Sequence, residues 1–255
     1  MEDSKEYIEK KKHFSRLITI FGRHSVMEAL DDASITPVYL HLSSSNKSAS
    51  ILDDLTEKAK AKGATVKMHD KAALSRISKN AKQDQGVALD IQSPNYSDVE
   101  SYLENLKTDA KIIALDGITN PQNLGMILRS VAASEVDALI LPKKGCTQIS
   151  PLVIKASAGA LFKANILYCD TLKSALVQAK DAGFQSYMLS SHAEHSLFDH
   201  APSKRSIYVL GNETEGVSPA IEAICDHRLS IPMQNGVESL NVAITAALIA
   251  FTKIP

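Results

Sequence analysis

The stretch AKIIALDG (110–117), followed closely by NLGMILRSVAAS (123–134), decides the fold of the second half of the chain. The first segment is almost entirely apolar, as expected of a parallel strand that is buried on both faces. In the second segment, four apolar residues recur at the spacing of one helical face: Leu124, Ile127, Leu128 and Val131. The pair predicts a buried strand that leads into a helix packed on the core.

Small and polar residues distinguish this helix from one that only packs in a core. Asn120 suits the position that caps the N-terminus, and Pro121 suits the first turn. Gly125 lies one turn before Arg129 on the same side, where a longer side chain would crowd the surface that Arg129 covers. The gap makes room for a ligand or for a second backbone, unless Arg129 is a surface residue beside an incidental glycine.

Strand and helix patterns alternate along the chain and divide it at a polar, turn-rich stretch, 93–98, which we predict to be a linker. The patterns predict a first domain over 1–95, in which 1–15 form a lysine-rich arm, and a second domain over 105–255. Both are predicted to be α/β, and the second is expected to contain a parallel sheet. We also expect a strand over 227–233.

The composition argues against several classes of protein. Hydrophobic residues make up 44% of the chain and the formal net charge is -1, whereas an electrostatic nucleic-acid binder is usually basic. The cysteines are scattered, which predicts a reducing cytoplasm, and no apolar run reaches membrane-spanning length. His192 and His195 lack further acidic or cysteine partners at ligand spacing, so we predict solvated loop histidines and no metal site.

Two later segments add chemistry to the sheet edge. In YVLGNETEGVSP (208–219), a loop bracketed by glycines carries Glu213 and Glu215, which would repel phosphate and suit a neutral or cationic ligand or a catalytic carboxylate. A plain turn is the alternative. In IPMQNGVESLNVAITAALIAF (231–251), Ser239 and Asn241 open an apolar helix, in the crevice where open α/β sheets bind ligands. Ser239 is alternatively a simple helix cap.

Together these segments resemble the three motifs of the SpoU (TrmH) branch of the SPOUT methyltransferases, which methylate ribose 2'-hydroxyls of RNA. The motifs lie in order at 123–129, 210–216 and 231–242, and the helix pattern at 150–162 also matches. FGRHSVMEAL and QGVALDI in the first half are similar to the start and end of a small ribosomal-protein-like RNA-binding domain. The pairing is most similar to bacterial 23S rRNA guanosine-2'-O-methyltransferases. Asn235 departs from the third motif, which usually has glycine there.

The resemblance implies a SPOUT α/β knot, in which the C-terminal segment threads a trefoil, and a homodimer whose interface includes the apolar final helix. It also implies S-adenosylmethionine as the cofactor. By motif match, the cofactor-binding residues would be Gly211, Ile231 and Leu240, with Met233 nearby.

The resemblance also implies a catalytic set at the same edge. Arg129 is proposed in this family as the base, but a guanidinium with a pKa above about 12 is better suited to orient the ribose or a phosphate and to stabilise alkoxide charge. Asn123 would position Arg129 or the ribose, and Glu213 would pair with Arg129 or with the sulfonium. Ser239 and Asn241 would hydrogen-bond the substrate or fix the loop.

The expected function is methyl transfer from S-adenosylmethionine to a ribose 2'-hydroxyl, with a guanosine of 23S rRNA as the favoured target. Arg23, His24 and Lys47 of the first domain are candidates for RNA contact, although charged loops are often only solvated. The alternatives are a tRNA substrate, a non-catalytic ribosome-associated RNA-binding protein, and a methyltransferase acting on small molecules or proteins.

Overall fold

The structure is a computed structural model, and it falls into two compact units. One unit contains residues up to 94 together with 149–151, and the other contains the rest of the chain. The parts of the chain that the structure describes are 17–33, 35–46, 49–79, 84–92, 96–106 and 108–252. The predicted arm at 1–15 and the candidate RNA contact Lys47 lie outside these residues.

The first unit is a mixed four-stranded sheet with three helices packed against it. Its sheet order is β1-β4-β2-β3, with β2 and β3 parallel and the other two pairings antiparallel. Ile20, Leu40 and Leu89 from neighbouring strands are fully buried. The elements are β1 (Leu17–Phe21), α1 (Arg23–Asp31), β2 (Thr36–Ser43), α2 (Ser50–Ala61), β3 (Thr65–His69), α3 (Lys71–Ser78) and β4 (Val87–Gln92).

The second unit has a seven-stranded sheet in the order β11-β9-β10-β6-β7-β8-β5. All of its described strand pairings are parallel, which confirms the predicted parallel sheet. The elements up to the middle of the unit are β5 (Tyr96–Asp98), α4 (Val99–Leu103), β6 (Ala110–Leu115), α5 (Pro121–Ala132), β7 (Ala138–Pro142), α6 (Pro151–Ser157) and β8 (Ile166–Cys169). The others are α7 (Leu172–Asp181), β9 (Gln185–Leu189), β10 (Arg205–Leu210), α8 (Pro219–Glu222), β11 (His227–Leu229) and α9 (Val242–Phe251).

The core of the second unit follows the predicted hydrophobic pattern. Every residue of the central strands β6 and β7 is buried, as expected for parallel strands covered on both faces. In α5 the predicted stripe is buried as well, with Leu124, Ile127 and Leu128 at 0% exposure. Among the described helices, none is long and apolar enough to cross a membrane.

The predicted linker at 93–98 is wrong in its second half. Tyr96–Asp98 forms β5, an edge strand that pairs in parallel with β8, and the Asp98 side chain accepts a hydrogen bond from the Ser101 backbone N–H at the start of α4 (2.8 Å). Residues 93–95 lie outside the described part of the chain. A short polar segment becomes a strand here because a neighbouring strand supplies its backbone hydrogen bonds.

Two other predicted elements are shorter than expected. The strand expected over 227–233 ends at Leu229, before Pro232, which has no N–H to donate to a sheet. The helix expected over 150–162 ends at Ser157. Ala158 and Gly159 then adopt left-handed backbone angles, with φ of 51° and 74°, before a single 3-10 turn.

Candidate active site

Parallel pairing brings the ends of β6 and β10 to one edge of the sheet, and their following loops are bonded together. The Asp116 backbone N–H donates to the Leu210 carbonyl (2.8 Å), and the Asp116 carboxylate accepts from the Ser218 N–H (2.7 Å). The Asn212 side-chain amide donates to the Gly117 carbonyl (2.8 Å). The loop that follows β6 and the loop that follows β10 are therefore held together by main-chain and side-chain hydrogen bonds.

The glycine-bracketed acidic loop closes tightly on itself. Asn212 and Gly216 exchange two backbone hydrogen bonds of 2.9 Å each. A Cβ at Gly211 would lie 2.1 Å from the Gly216 carbonyl carbon, so this position has no room for a side chain. The Asn212 side-chain oxygen accepts from the Thr214 N–H (2.9 Å) and holds the acidic part of the loop in place. The loop is therefore a closed, hydrogen-bonded turn, and the side chains of Glu213 and Glu215 on it are exposed.

Asn123 joins all three motif segments. Its side chain is buried at 5% exposure on α5, and its Nδ2 donates to a carboxylate oxygen of Glu213 in the acidic loop. Its Oδ1 accepts from the Asn241 side-chain amide at 3.1 Å. Both ends of one buried amide are thus used, and they connect a helix to two loops that are distant in sequence.

Asn241, and not Ser239, caps the final helix. The Asn241 Oδ1 accepts from the Ala243 N–H at 2.8 Å, which satisfies one of the free donors at the start of α9. Ser239 is exposed two residues earlier and has no side-chain hydrogen bond to any residue that the structure describes. The cap interpretation of Ser239 is therefore wrong, and its hydroxyl is accessible.

Gly125 serves close packing between two helices. A Cβ at this buried glycine would lie 2.5 Å from the Ala156 Cβ and 2.6 Å from the Val153 carbonyl oxygen. The sequence allowed either a ligand or a second backbone beside Gly125. In the structure the space is filled by a second backbone, that of α6.

Arg129 is exposed on α5, and its side chain makes no hydrogen bond or ion pair with a residue in the described ranges. Glu213, which the resemblance assigned to pair with Arg129 or with the sulfonium, accepts a hydrogen bond from Asn123. Arg129 lies six positions after Asn123 in α5, which corresponds to about 9 Å along the helix axis. The structure therefore brings Asn123, Glu213 and Asn241 into one cluster and leaves Arg129 outside it.

A cleft of about 510 Å³ opens beside this cluster. This volume lies within the usual range for small-molecule sites. Six of the predicted site residues line it: Gly211, Glu213, Ile231, Met233, Ser239 and Leu240. Arg129, Asn123 and Asn241 are not among the lining residues.

The cleft is acidic. Four carboxylates line it and, in the described part of the chain, no lysine or arginine does: Glu213, Glu215, Glu222 and Glu238. Such a lining attracts a cation and repels a phosphate. Its chemistry therefore fits a positively charged small molecule.

Comparison with known proteins identifies the chain. A model of the SpoU rRNA Methylase family matches residues 110–251. The chain belongs to this family. A second model, described as RNA 2'-O ribose methyltransferase substrate binding, matches residues 19–97, nearly all of which lie in the first unit. The chain is thus an RNA methyltransferase of the SpoU family.

Two named relatives align with this SpoU methyltransferase over nearly the full length of both chains. A putative TrmH family tRNA/rRNA methyltransferase of Staphylococcus epidermidis is 31% identical, over 92% of this chain and 94% of its own. The 23S rRNA (guanosine-2'-O-)-methyltransferase RlmB of Neisseria meningitidis serogroup B is also 31% identical, over 90% and 92%. The crystal structure of AviRb from Streptomyces viridochromogenes, in complex with AdoMet, superposes with a TM-score of 0.64 at 20% identity, over 95% and 91%. This likeness confirms the SPOUT-type α/β fold.

The cleft is also lined by residues that the sequence analysis of this SpoU methyltransferase did not single out as cleft residues. The end of β9 and its loop, from Met188 to His192, line the cleft, as does Thr245 of α9. His192 was expected to be a solvated loop histidine, and it is exposed but borders the cleft. The available signal was the strand itself, since the carboxyl ends of neighbouring parallel strands share one edge.

Cys146 lies close to the site but is unsuited to act as a nucleophile. Its thiol donates to the Leu115 carbonyl oxygen (3.7 Å) beneath the loop that begins at Asp116. Burial raises the pKa of Cys146, so the thiol stays protonated at neutral pH.

The two described RNA-contact candidates in the first unit have different environments. Arg23 is partly tied into the fold, because its Nε donates to the Gln85 carbonyl (3.3 Å) and its backbone N–H donates to the Gln85 side chain (3.1 Å). His24 is exposed at the start of α1. The RNA-contact role of both stays a prediction.

Proposed function

We propose that this SpoU methyltransferase transfers a methyl group from S-adenosylmethionine to a ribose 2'-hydroxyl of RNA, with a guanosine of 23S rRNA as its target. The match of the first unit to a 2'-O ribose methyltransferase substrate-binding model supports the ribose oxygen as acceptor. The relative from Neisseria meningitidis, which bears the name of that reaction on 23S rRNA, supports the substrate.

The observation that carries the proposal is the hydrogen-bonded cluster of Asn123, Glu213 and Asn241 at the rim of an acidic cleft. The helix α5, the acidic loop and the start of α9, which are distant in the sequence, meet at this cluster. A buried amide that bonds to both partners orders the acidic loop and the start of α9 before any ligand arrives, and such preorganisation is what a transfer reaction between two bound groups requires.

The cleft suits S-adenosylmethionine in size and charge. When bound, this cofactor supplies a methyl group that its positive sulfonium already activates. Gly211, Ile231, Met233 and Leu240 would hold it, and the exposed carboxylates of the acidic loop would favour the sulfonium. The charge of the lining supports a cationic donor over a phosphate-bearing one.

The remaining chemistry is to position one hydroxyl and to stabilise the charge that develops on its oxygen. We assign this role to Arg129, whose exposed guanidinium orients the ribose or an adjacent phosphate and stabilises the developing alkoxide. We assign the exposed Ser239 hydroxyl to hydrogen bonding with the substrate, and Asn241, whose amide donates to Asn123, to fixing the loop. Glu213, accepting from Asn123, holds the loop in position.

We further infer a homodimer in the cytoplasm and a trefoil-knotted C-terminal unit. Ile244, Leu248 and Phe251 form one side of α9, and Ile244 and Phe251 are 52% and 60% exposed. Met126, also exposed, lies on α5, against which α9 packs. An apolar face of this kind is typical of a protein interface.

The unpaired cysteines support a reducing compartment.

The dimer is tested with Ile244→Asp, which places a charge in the apolar face. We expect the wild-type chain to have the mass of a dimer by light scattering and the variant to have the mass of a monomer at the same concentration. A wild-type monomer would contradict this assignment.

The function is tested by mapping 2'-O-methylation in rRNA and tRNA from cells with and without the gene. We expect one guanosine of 23S rRNA to lose its methyl group. Loss at a tRNA position instead would establish the alternative that the combined tRNA/rRNA naming of the Staphylococcus relative leaves open. No change at any site, together with no S-adenosylmethionine binding by calorimetry, would indicate a non-catalytic RNA-binding protein.

A further inference from the structure

Three aromatic rings form a ladder across neighbouring strands at one end of the seven-stranded sheet. Tyr208 of β10 pairs in register with Tyr187 of β9, and Tyr187 pairs with His227 of β11. The Tyr187 ring stacks on Tyr208 at 5.5 Å between centroids and on His227 at 5.0 Å, with an interplanar angle of 18° for the second pair. Because β11 is an edge strand and His227 is exposed, the ladder ends on a ring whose outer face no described strand covers.

The ladder borders a cavity of about 710 Å³. His200, from the loop between β9 and β10, packs against Tyr187 at 4.5 Å and also lines this cavity. Its Nε2 is buried and has no hydrogen-bond partner among the described residues. Buried polar atoms are nearly always paired, so an orphaned ring nitrogen on a residue of the cavity wall is a candidate hydrogen-bond site for a ligand in the cavity.

The cavity has rings and polar edges, and in the described part of the chain its lining has one carboxylate without an ion pair, that of Glu194. Asp226 is paired with Lys180, and Arg228 is paired with Glu222 at 3.0 Å. Burial, together with the nearby His227 and His195, lowers the pKa of His200, which is therefore neutral at pH 7. An aromatic lining with one unpaired carboxylate suits a flat, uncharged heterocycle and repels a phosphate.

A metal ion does not fit this cavity despite its several histidines. Within the described ranges, no three histidine, cysteine or acidic side chains are grouped closely enough to hold one. The expected occupant is therefore organic.

The cavity is next to the cofactor cleft. His192 lines both, and the loop that follows β9 runs between them. We propose that this cavity binds an unpaired nucleobase of the RNA substrate near the nucleotide that is methylated. The base stacks on the outer face of His227, and its edge hydrogen-bonds to His200 Nε2. This inference rests on the proposed function for the identity of the ligand as RNA.

The test measures the affinity of the full chain for two fluorescently labelled probes, a 23S rRNA transcript and a short single-stranded RNA. Stacking of one base on an aromatic ring is worth enough for His227→Ala to weaken binding about tenfold. His227→Phe keeps a ring face and is expected to bind within about twofold of wild type. His200→Phe keeps the packing on Tyr187 but removes the ring nitrogen, and is expected to weaken binding about fivefold.

Two further readouts separate contact from indirect effects. Addition of the short RNA should shift the His227 imidazole proton signals upfield, because a stacked base imposes its ring current on them. S-adenosylmethionine affinity should be the same in all variants, since none of the substituted side chains lines the cofactor cleft.

The outcomes are distinguishable from those of the proposed function. Wild-type RNA affinity in His227→Ala, or equal weakening in His227→Ala and His227→Phe, would overturn the base site. Loss of S-adenosylmethionine binding in these variants would also overturn it, because the residues would then support the cofactor cleft. If the wild-type chain binds no methyl donor but the RNA results are as expected, the base site stands and the proposed reaction fails.

Discussion

Replacing Asn123 with alanine tests the cluster on which the proposed site depends. The substitution removes the amide that donates to Glu213 and accepts from Asn241. Alanine is a good helix former, so α5 is kept. Gln122→Ala is the matched control, since it removes an amide from the adjacent position of the same helix, where the side chain is exposed.

The structure sets the size of the effect. A hydrogen bond to a charged group contributes about 1.5–3 kcal/mol and a neutral one about 0.5–1.5 kcal/mol. Glu213 and Asn241 are exposed, so water replaces the Asn123 amide when that amide is lost. Most of the free energy of the hydrogen bond to the Glu213 carboxylate is therefore recovered. We expect the free energy of unfolding to fall by about 1–2 kcal/mol in Asn123→Ala and by no more than about 0.5 kcal/mol in Gln122→Ala.

Methyl transfer should fall much more than stability, because the acidic loop and the start of α9 lose their common anchor. The assays are urea denaturation, calorimetry with S-adenosylmethionine, and transfer of a radiolabelled methyl group to rRNA. We expect transfer to fall by about a hundredfold, the scale associated with small misplacements in an active site. Equal transfer rates in Asn123→Ala and Gln122→Ala would refute the reasoning.

A second substitution, Asn123→Asp, tests the contact between position 123 and the Glu213 carboxylate through its dependence on pH. Asn123→Asp places a carboxylate against Glu213, which raises the pKa of the pair in the folded state. The folded state then binds a proton more readily than the unfolded state, so the variant loses stability as pH rises through that raised pKa and regains it as pH falls. A stability deficit of Asn123→Asp that is the same at acid and neutral pH would contradict the contact.

Three other substitutions test separate parts of the structure. Arg129→Ala should abolish methyl transfer while S-adenosylmethionine binding survives, and equal loss of both would make Arg129 structural. Gly125→Ala places a Cβ 2.5 Å from the Ala156 Cβ, and the resulting overpacking should lower the free energy of unfolding by about 1–3 kcal/mol in urea. Lys111 is 3% exposed, and its Nζ donates to the Thr252 carbonyl (2.6 Å) after α9. Burial lowers the pKa of Lys111 from 10.5, so wild-type stability should rise as pH increases from the lowered pKa toward 10.5, and Lys111→Met should lack this rise in thermal melts.

The pattern along the chain was sufficient to predict the central elements of the second unit. The apolar run at 110–117 and the stripe beginning at Leu124 are properties of neighbouring residues, and they predict a buried strand and a core helix without reference to the rest of the fold. Motif spacing likewise indicated the family, because each motif is a short local segment that the family models match.

Partners across the fold could not be obtained in the same way. The resemblance suggested Arg129 or the sulfonium as the partner of Glu213, and it did not point to the hydrogen bond that Glu213 accepts from Asn123, 90 positions away in the chain. The backbone pairing that turns Tyr96–Asp98 into a strand depends on β8, and the aromatic ladder depends on the order β11-β9-β10. None of these neighbours is encoded by local periodicity.

The sequence by itself therefore determined which segments are strands and helices in the core, that the second sheet is parallel, and which loops carry polar chemistry. Only the tertiary structure decided that Asn123 holds two loops together, that Gly125 is filled by α6, and that His227 ends a stack of rings at an open edge. The reason is physical. Hydrophobic periodicity reports how one segment meets a core, whereas a hydrogen bond or a ring contact requires two distant segments to be placed within a few ångströms of each other.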